Sequence, residues 1–286
     1  MAKDFDQLLK SLFTVKDLIA VSTQETKVNL YDFEFRQYFE TKALFSASKL
    51  PLVLRVGAIA DYAATYNAFN DLGLTLINSI AQHERASLLP LWYPLIKDFT
   101  ARSKCYDTLP SAEAIMQDFE LPVFIKGERQ TNRHKRSLCI AETQAELEQI
   151  LALWKDDPIL NWQRLICRAF IQLEKIGDSQ GDQLQFSNEH RVFVWRNQVV
   201  AIGQYWVDAK AINLSEADYT QIKNLAEQVA KIVEVPFLVV DIAKQAHGSW
   251  IVIELNDAQE SGYAGVSKLK LWETILQLEK DMIAAI

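Results

Sequence analysis

Glycine, cysteine and histidine are scarce in this chain of 286 residues, at nine, three and four copies, and each scarcity removes a class of chemistry. The glycines are dispersed and neither GxxxxGK[ST] nor GxGxxG occurs. A P-loop and a Rossmann phosphate turn are therefore excluded, and any phosphate must be held by side chains. Cys105, Cys139 and Cys167 are odd in number, far apart and without a CxxC pair, which fits free thiols in a reducing compartment better than a disulfide framework or a zinc site. His83, His134, His190 and His247 are equally scattered, and no GxSxG, HExxH or spaced Cys–His pair is present. Hydrolase chemistry lacks support. Long apolar runs are also missing: nothing approaches the roughly 20 apolar residues of a membrane span, and acids interrupt the N-terminal MAKDFDQLLKSLF. A net charge of −7 argues against broad attraction to nucleic acid or anionic lipid. The expectation is a cytoplasmic protein without membrane or nucleic-acid partners, in which any anion site is local.

What is present suits one large or two modest globular domains, with 49% hydrophobic and 23% charged residues. Residues 1–19 have the spacing of an amphipathic helix. LPLVLRVGAI at 50–59 predicts a buried strand, Asp61 an N-cap, the next stretch a helix to about Asp71, Gly73 its end and LTLINS a second strand. The chain to residue 98 thus reads as a small α/β unit. From residue 99, SAEAIMQDF reads as a helix, LPVFIKG and RSLCIA as strands, and TQAELEQILALW as a helix with Thr143 and Glu146 in a capping box. RLICRAFIQL opens the next stretch, followed by an irregular segment. EHRVFVW and QVVAIGQYW are predicted to form an antiparallel hairpin turning at Arg196 and Asn197, and Ser215 and Asp218 to cap a helix through Ile232. A closing helix starts near Ser267. Residues 99–286 read as α+β.

Three constellations could carry chemistry. PFLVVDIA and WIVIELND are β-branched and aromatic runs separated by KQAHGS, which predicts a hairpin that brings Asp241 beside Glu254 and puts Asn256 on the Glu254 face. One acidic strand residue ordinarily faces solvent, but two carboxylates and an amide oxygen together suit Mg²⁺ bound to a nucleotide. FIKGERQTNRHKRS gathers Lys126, Arg129, Arg133, His134, Lys135 and Arg136 against Glu128 alone. A solvated turn explains most basic runs, yet Lys126 lies in an apolar strand, where its ammonium must snorkel or meet an anion such as a phosphate. The rest of the segment could fold over phosphates as a lid. In NEHRVFVW, Glu189 and Arg191 alternate onto one face opposite His190; Arg191 could grip a carboxylate or phosphoryl oxygen or form a cross-strand ion pair.

A strand lysine, a basic loop, an E-x-R strand and a D…E-x-N pair together resemble the ATP-grasp superfamily over roughly residues 99–286. GLTLINS, WYPLIKDFT, VFIKG, EHRVFVW, GQYW and ELNDAQESGYAG are most similar to the divergent clade that includes the eukaryotic translation-initiation cell-cycle regulator and many bacterial and phage proteins. The resemblance implies an α+β ATP-grasp fold, with subdomains at about 99–163 and 164–286 gripping ATP, preceded by the small α/β domain at 1–98. It implies Lys126 on the α- and β-phosphates with Arg102 or Lys104 upstream, the backbone of Arg168, Ala169, Phe170 and Ile171 at the adenine edge, and Glu174 or Glu189 at the ribose. Asp241, Glu254 and Asn256 would hold Mg²⁺, and Arg191 would face the transferred phosphoryl group, making Lys126 and Arg191 the catalytic pair. QESGYAG, with Gly262 and Gly265, would line the acceptor pocket or form a plain turn before the last helix. The activity implied is ligation of a carboxylate to an amine through an acyl phosphate, with a peptide or protein among the possible substrates. The alternative is an assembly factor or sensor that binds the nucleotide without turnover.

Overall fold

Only α1 (Phe5–Lys10) of the helix expected over residues 1–19 is helical in the computed structural model, which describes residues 5–24, 31–44, 47–129, 135–179 and 181–285. All four residues of β1 (Leu12–Val15) are buried. A run buried on both faces is better satisfied by strand pairing than by a helix with one wet face. The chain turns at Lys16 and Asp17, both at positive φ, into β2 (Ile19–Thr23). Thr14 Oγ1 donates to Asp17 Oδ1 at 3.0 Å and steadies a turn that no glycine announces. There follow α2 (Phe35–Tyr38), β3 (Thr41–Ala43), β4 (Ser48–Arg55), α3 (Tyr62–Asp71) and β5 (Leu74–Leu76). The sheet order is β3-β1-β2-β4-β5, with β2, β4 and β5 parallel. Asp61 caps α3 by accepting from Ala64 N at 2.9 Å, and Gly73 ends it at φ +73°, as the sequence predicts.

Next come α4 (Ile80–Ser87) and α5 (Leu89–Ile96). They fall inside the stretch assigned to the N-terminal unit, yet Ala86, Leu89, Trp92 and Ile96 pack in the core of the C-terminal sheet. A second sheet then forms from β6 (Ser103–Tyr106), β7 (Val123–Gly127), β8 (Ile140–Ala141) and β9 (Leu165–Ala169), in the order β6-β9-β7-β8 and antiparallel throughout. Its helices are α6 (Ala112–Asp118), α7 (Arg136–Cys139) and α8 (Gln144–Trp154). RSLCIA, expected as a strand, is a helical turn followed by two strand residues. Asp182 accounts for the turn: its backbone oxygen accepts from Arg136 N at 3.1 Å and its carboxylate from Ser137 N at 2.8 Å, which supplies the acceptors an isolated helix start lacks. The division expected at 163/164 would open the second subdomain with β9. Instead β9 lies between β6 and β7, because Leu165 and Cys167 complete the apolar core of Ile115, Val123, Ile125, Leu147 and Ile150.

The third sheet contains β10 (Glu189–Trp195), β11 (Gln198–Gln204), β12 (Phe237–Lys244) and β13 (Trp250–Asp257), ordered β11-β10-β12-β13 and antiparallel, with α9 (Glu216–Val233) and α10 (Lys268–Ala284). Both expected hairpins form; Arg196 and Asn197 take positive φ in the first, and Gly248 in the second. Strand alternation divides this sheet in a useful way. Phe193, Trp195, Phe237 and Val239 share a core with Phe13, Val21 and Val53 of the first sheet and Trp272 of α10. Val192, Val194, Leu238 and Val240 point the other way, onto α9 and α5. The face that meets the first sheet carries on, two residues at a time, to Arg191, Glu189 and Asp241. Among the described residues no helix is long and apolar enough to cross a membrane.

Candidate active site

Register brings the expected acids together. Asp241 is the direct partner of Glu254 across the β12–β13 ladder and of Arg191 across the β10–β12 ladder. Arg191 grips Asp241 through Nε at 2.9 Å and Nη2 at 2.7 Å, donates from Nη1 to Gly262 O at 3.0 Å, and lies 4.9 Å from the Tyr205 ring centroid. Lys126 reaches over from β7 of the second sheet and pairs with Glu254. The Lys126 side chain is 4% exposed and that of Glu254 24%. Its anion is thus a carboxylate, which satisfies the requirement that burial places on an ammonium. Two cations and two carboxylates from two sheets neutralise one another in one cluster.

The electrostatics follow from that geometry. Burial pushes Asp241 above the ordinary carboxylate range, opposed by the Arg191 charge and its hydrogen bonds. Glu254 goes the other way: burial would raise it, but the charge and hydrogen bond of Lys126, with a hydrogen bond to Asn256, hold it below its usual value. Glu189 is pushed up to about 8 by burial and by the Asp241 charge, although Trp206 Nε1 donates to it at 3.0 Å. It is a carboxylic acid near neutral pH. His190, on the opposite face, is lowered to about 4 by burial and bonds Asn188 Oδ1 through Nε2 at 2.9 Å.

A cleft opens between the second and third sheets beside this cluster. Lys126, Arg168, Ala169, Phe170, Ile171, Glu189 and Glu254 line it, so most of the residues expected at a nucleotide meet there. Arg168 keeps its charge at neutral pH, although burial lowers its guanidinium to about 10, and its donors are engaged by Ser103 Oγ, Thr100 Oγ1 and Ile253 O. Glu174 stays outside the cleft lining and accepts from Asn188 Nδ2 at 3.0 Å. Neither upstream candidate lines the cleft: Lys104 bonds the Asp118 carboxylate at 2.6 Å and Arg102 the Asp118 carbonyl at 2.6 Å. Arg133 and His134 lie outside the described residues. Of the basic segment, Arg129 joins Glu260 at 2.7 Å and Arg136 joins Glu142 at 2.6 Å.

Sequence reasoning missed the walls. Phe124, Phe186, Tyr205, Trp206 and Lys175 also line the cleft. Phe186 and Trp206 have ring centroids 5.3 Å apart, an aromatic surface suited to the flat face of a base. The GQYW run carried a signal, since Tyr205 and Trp206 directly follow a strand whose partner bears Glu189. Nothing local marked Phe186.

The donor set suits a hard divalent cation. Asp241 and Glu254 offer carboxylate oxygens directly opposite each other, and Asn256, hydrogen-bonded to Glu254, adds an amide oxygen. Among the described residues no three His, Cys, Asp or Glu side chains gather as a self-sufficient metal site, so such an ion would need ligands from the nucleotide as well. Mg²⁺ ordinarily takes them from substrate phosphates.

A family described as an ATP-grasp domain, the third family of its clade, matches residues 119–275. A search of the curated proteins finds no match. Among solved structures, the chain is similar to the ATP-grasp ligase PsnB in complex with minimal precursor, Mg and ADP, with a TM-score of 0.55 and 14% identity over 97% of this chain and 88% of that one. It is also similar to the D-alanine–D-alanine ligase from Coxiella burnetii, with a TM-score of 0.56 and 15% identity over 81% and 68% of the two chains. A RimK domain protein ATP-grasp from Sphaerobacter thermophilus DSM 20745 aligns with a TM-score of 0.54 and 12% identity over 77% and 75%. At such identities the likeness is one of fold.

Proposed function

The chain belongs to the ATP-grasp domain family, and from that premise we propose that it is an ATP- and Mg²⁺-dependent ligase joining a carboxylate to an amine through an acyl phosphate. The observation that carries the proposal is the Lys126–Glu254 pair, which lines a cleft walled by Phe186, Tyr205 and Trp206, with the Arg191–Asp241 pair directly behind Glu254 in the strand register. Without a triphosphate, the cations cancel the carboxylates. With one bound, Lys126 and Arg191 have phosphoryl oxygens to meet, and Asp241, Glu254 and Asn256 would hold Mg²⁺, which supplies charge neutralisation at the phosphoryl oxygens.

In this reading the base lies along the aromatic wall against the 168–171 backbone, and Glu189, protonated near neutral pH, can donate to a ribose hydroxyl. An oxygen of the substrate carboxylate attacks the γ-phosphorus, the bond to the ADP oxygen breaks, and an acyl phosphate forms. The amine nitrogen then attacks the acyl carbon, phosphate leaves, and the nitrogen loses a proton to give the amide. Arg191, fixed by Asp241, Gly262 O and the Tyr205 ring, is preorganised to meet the charge that develops on the transferred group. No protein nucleophile takes part. A neighbour of the same fold, PsnB, is in complex with precursor peptide PsnA2 and AMPPNP, which supports extending the proposal to a peptide or protein substrate. The free cysteines suit a cytoplasmic setting.

The test is ADP release with ATP and Mg²⁺ across a carboxylate panel, with hydroxylamine in place of the amine to capture an acyl phosphate as a hydroxamate. Hydroxamate that depends on one carboxylate is the expected result. Nucleotide binding without hydroxamate from any carboxylate would replace the ligase by a nucleotide-binding factor.

A further inference from the structure

His83 and Asp257 form a buried pair of titratable side chains that the proposed chemistry leaves unused. His83, on α4, is 5% exposed, and Asp257, the last residue of β13, is 1% exposed. His83 Nδ1 lies 3.0 Å from Asp257 Oδ2. Both carboxyl oxygens of Asp257 accept elsewhere as well, Oδ1 from Gln259 N at 2.9 Å and Oδ2 from Gln259 Nε2 at 3.4 Å, so the imidazole is the donor of the pair. The ring is stacked on Tyr62 of α3, with centroids 3.9 Å apart and planes 2° apart. Tyr62 in turn donates to Asn78 O at 2.7 Å and accepts from Gln259 Nε2 at 2.8 Å. The stack fixes the ring plane, and with it the direction of the Nδ1–H.

Asp257 passes this order on in both directions along the chain. Its neighbour Asn256 is the amide of the expected metal set and is hydrogen-bonded to Glu254. The β12–β13 ladder ends at the pairing of Leu238 with Asp257, so Asn256 lies one residue from the end of the ladder. Strand ends are where pairing opens first unless something ties them down. In the other direction, the Asp257 backbone oxygen accepts from Glu260 N at 3.1 Å and from Ser261 Oγ at 2.8 Å. These bonds close a turn whose next residue, Gly262, accepts from Arg191. The turn is also tied to the end of β4, because Gln259 Oε1 accepts from Leu54 N at 3.1 Å and Arg55 Nη1 donates to Ala258 O and Gln259 O. One carboxylate thus stands between the amide of the metal set and the carbonyl that holds Arg191, and its partner from the helices before the second sheet is His83.

We infer that His83, braced by Tyr62, is a positioning residue for the metal site: through Asp257 it fixes the end of β13, and so the direction of the Asn256 amide that would meet Mg²⁺. This deepens the proposed function and rests on it for the identity of the metal. Groups that orient metal ligands from outside govern metal affinity by about 10- to 100-fold. His83 acts one step further out, which places its effect at the lower end.

The experiment is calorimetric binding of AMPPNP, with and without saturating Mg²⁺, to wild type, His83→Phe, His83→Asn and Tyr62→Phe. His83→Phe keeps a ring for the Tyr62 stack but has no donor for Asp257. His83→Asn keeps an N–H one bond from Cγ, where Nδ1 stands. With Mg²⁺ the affinity of His83→Phe should fall about tenfold, while its affinity for AMPPNP alone stays within about twofold of wild type and His83→Asn recovers most of the loss. In nucleotide-free protein the Gln259 and Glu260 amides should exchange faster in His83→Phe than in wild type. A merely structural role would lower the unfolding midpoint and leave the gain from Mg²⁺ unchanged. That result, an equal fall with and without Mg²⁺, or unchanged exchange at both amides would overturn the inference. A wild type that does not bind AMPPNP, or binds it no more tightly with Mg²⁺, would overturn the proposed nucleotide and metal site itself, and the role of His83 with it. Should His83→Phe fail to fold, Tyr62→Phe, which removes the hydroxyl that accepts from Gln259, gives the decision by the same comparison.

Discussion

Asp241 and Glu254 stand directly opposite each other on β12 and β13, and each is neutralised by a cation from a different strand, Arg191 from β10 and Lys126 from β7. Two carboxylates in register would repel strongly if left alone. The arrangement therefore stores, in a neutral form, the four charges that a metal–triphosphate complex would redistribute. It also joins two sheets, since Lys126 belongs to the second and Glu254 to the third. Grip and charge balance are the same contact.

That coupling predicts a measurable interaction energy. Glu254→Gln leaves the buried Lys126 ammonium without its anion, and the loss should be about 3 kcal/mol, the lower end of the range for breaking a buried pair because Glu254 retains some exposure. Lys126→Met alone should also destabilise, and the double variant should recover part of the loss. Denaturant unfolding of the four proteins checks this. Additive losses would mean that the pair contributes nothing, as an exposed ion pair would.

Arg191→Lys tests the fork. A lysine keeps the charge but cannot make the two parallel bonds to Asp241 while reaching Gly262 O. Stability should fall by about 1.5 to 3 kcal/mol, the range for hydrogen bonds to charged groups. Acyl-hydroxamate formation should drop far more than ATP affinity. Equal falls in both would demote Arg191 from the transferred phosphoryl group to general nucleotide binding.

Glu189 and His190 are neighbours with opposite pH dependence. The native carboxyl of Glu189 holds its proton to about 8, so its contribution to stability is fully present at low pH and is lost as pH rises from the ordinary carboxylate range through 8. Native His190 resists protonation until about 4, so its contribution is present above 6.5 and is lost as pH falls toward 4. Each acts with a slope of roughly 1.4 kcal/mol per pH unit where its native and unfolded forms differ in protonation. Between about 4.5 and 6.5 the two oppose each other, and above 6.5 only Glu189 of the two acts. Glu189→Gln should reduce the decline above pH 6.5 in nucleotide-free protein, to which Asp241, also raised by burial, adds in the same direction, read from unfolding midpoints across pH 4 to 9. An unchanged decline would place the titrating group elsewhere.

How much of this could be read from the sequence depended on the range of the interaction. The β12–β13 and β10–β11 hairpins announced themselves through period-two patterning and short turns, and the first brought Asp241 beside Glu254, whereas the β10–β12 pairing that sets Arg191 against Asp241 joins distant segments. Asp61, Thr143 and Ser215 cap helices through neighbours three residues away, and such local chemistry is legible. The β1–β2 hairpin was hidden because Lys16 and Asp17 take positive φ without glycine, and because a strand buried on both faces lacks alternation. The exit of Lys104 to Asp118, the placing of β9 inside the second sheet and the Phe186–Trp206 wall all depend on contacts between distant segments. No local pattern encodes them. The burial of Arg55 was equally silent, since the end of an apolar strand looks like a solvent-facing terminus until α10 and the 258–263 segment close over it.

The last prediction concerns the seam between the first and third sheets. Asn78 is fully buried; its Nδ2 donates to Phe237 O at 2.8 Å and its Oδ1 accepts from Phe237 N at 2.9 Å, so one amide side chain imitates a strand partner at the start of β12. Asn78→Ala would leave the buried Phe237 N–H unpaired, at about 1 to 3 kcal/mol, while Phe237 O keeps the Ala258 N donor at 3.3 Å. A loss of about 1 to 3 kcal/mol is expected in denaturant unfolding, with faster hydrogen exchange at the Phe237 amide. Asp241, four residues on, is held by β10 and β13 rather than by Asn78. Nucleotide affinity measured under native conditions should therefore stay within about twofold of wild type. A large loss of nucleotide affinity with little loss of stability would mean that the first sheet sets the position of β12 and β13, and that the seam is part of the site.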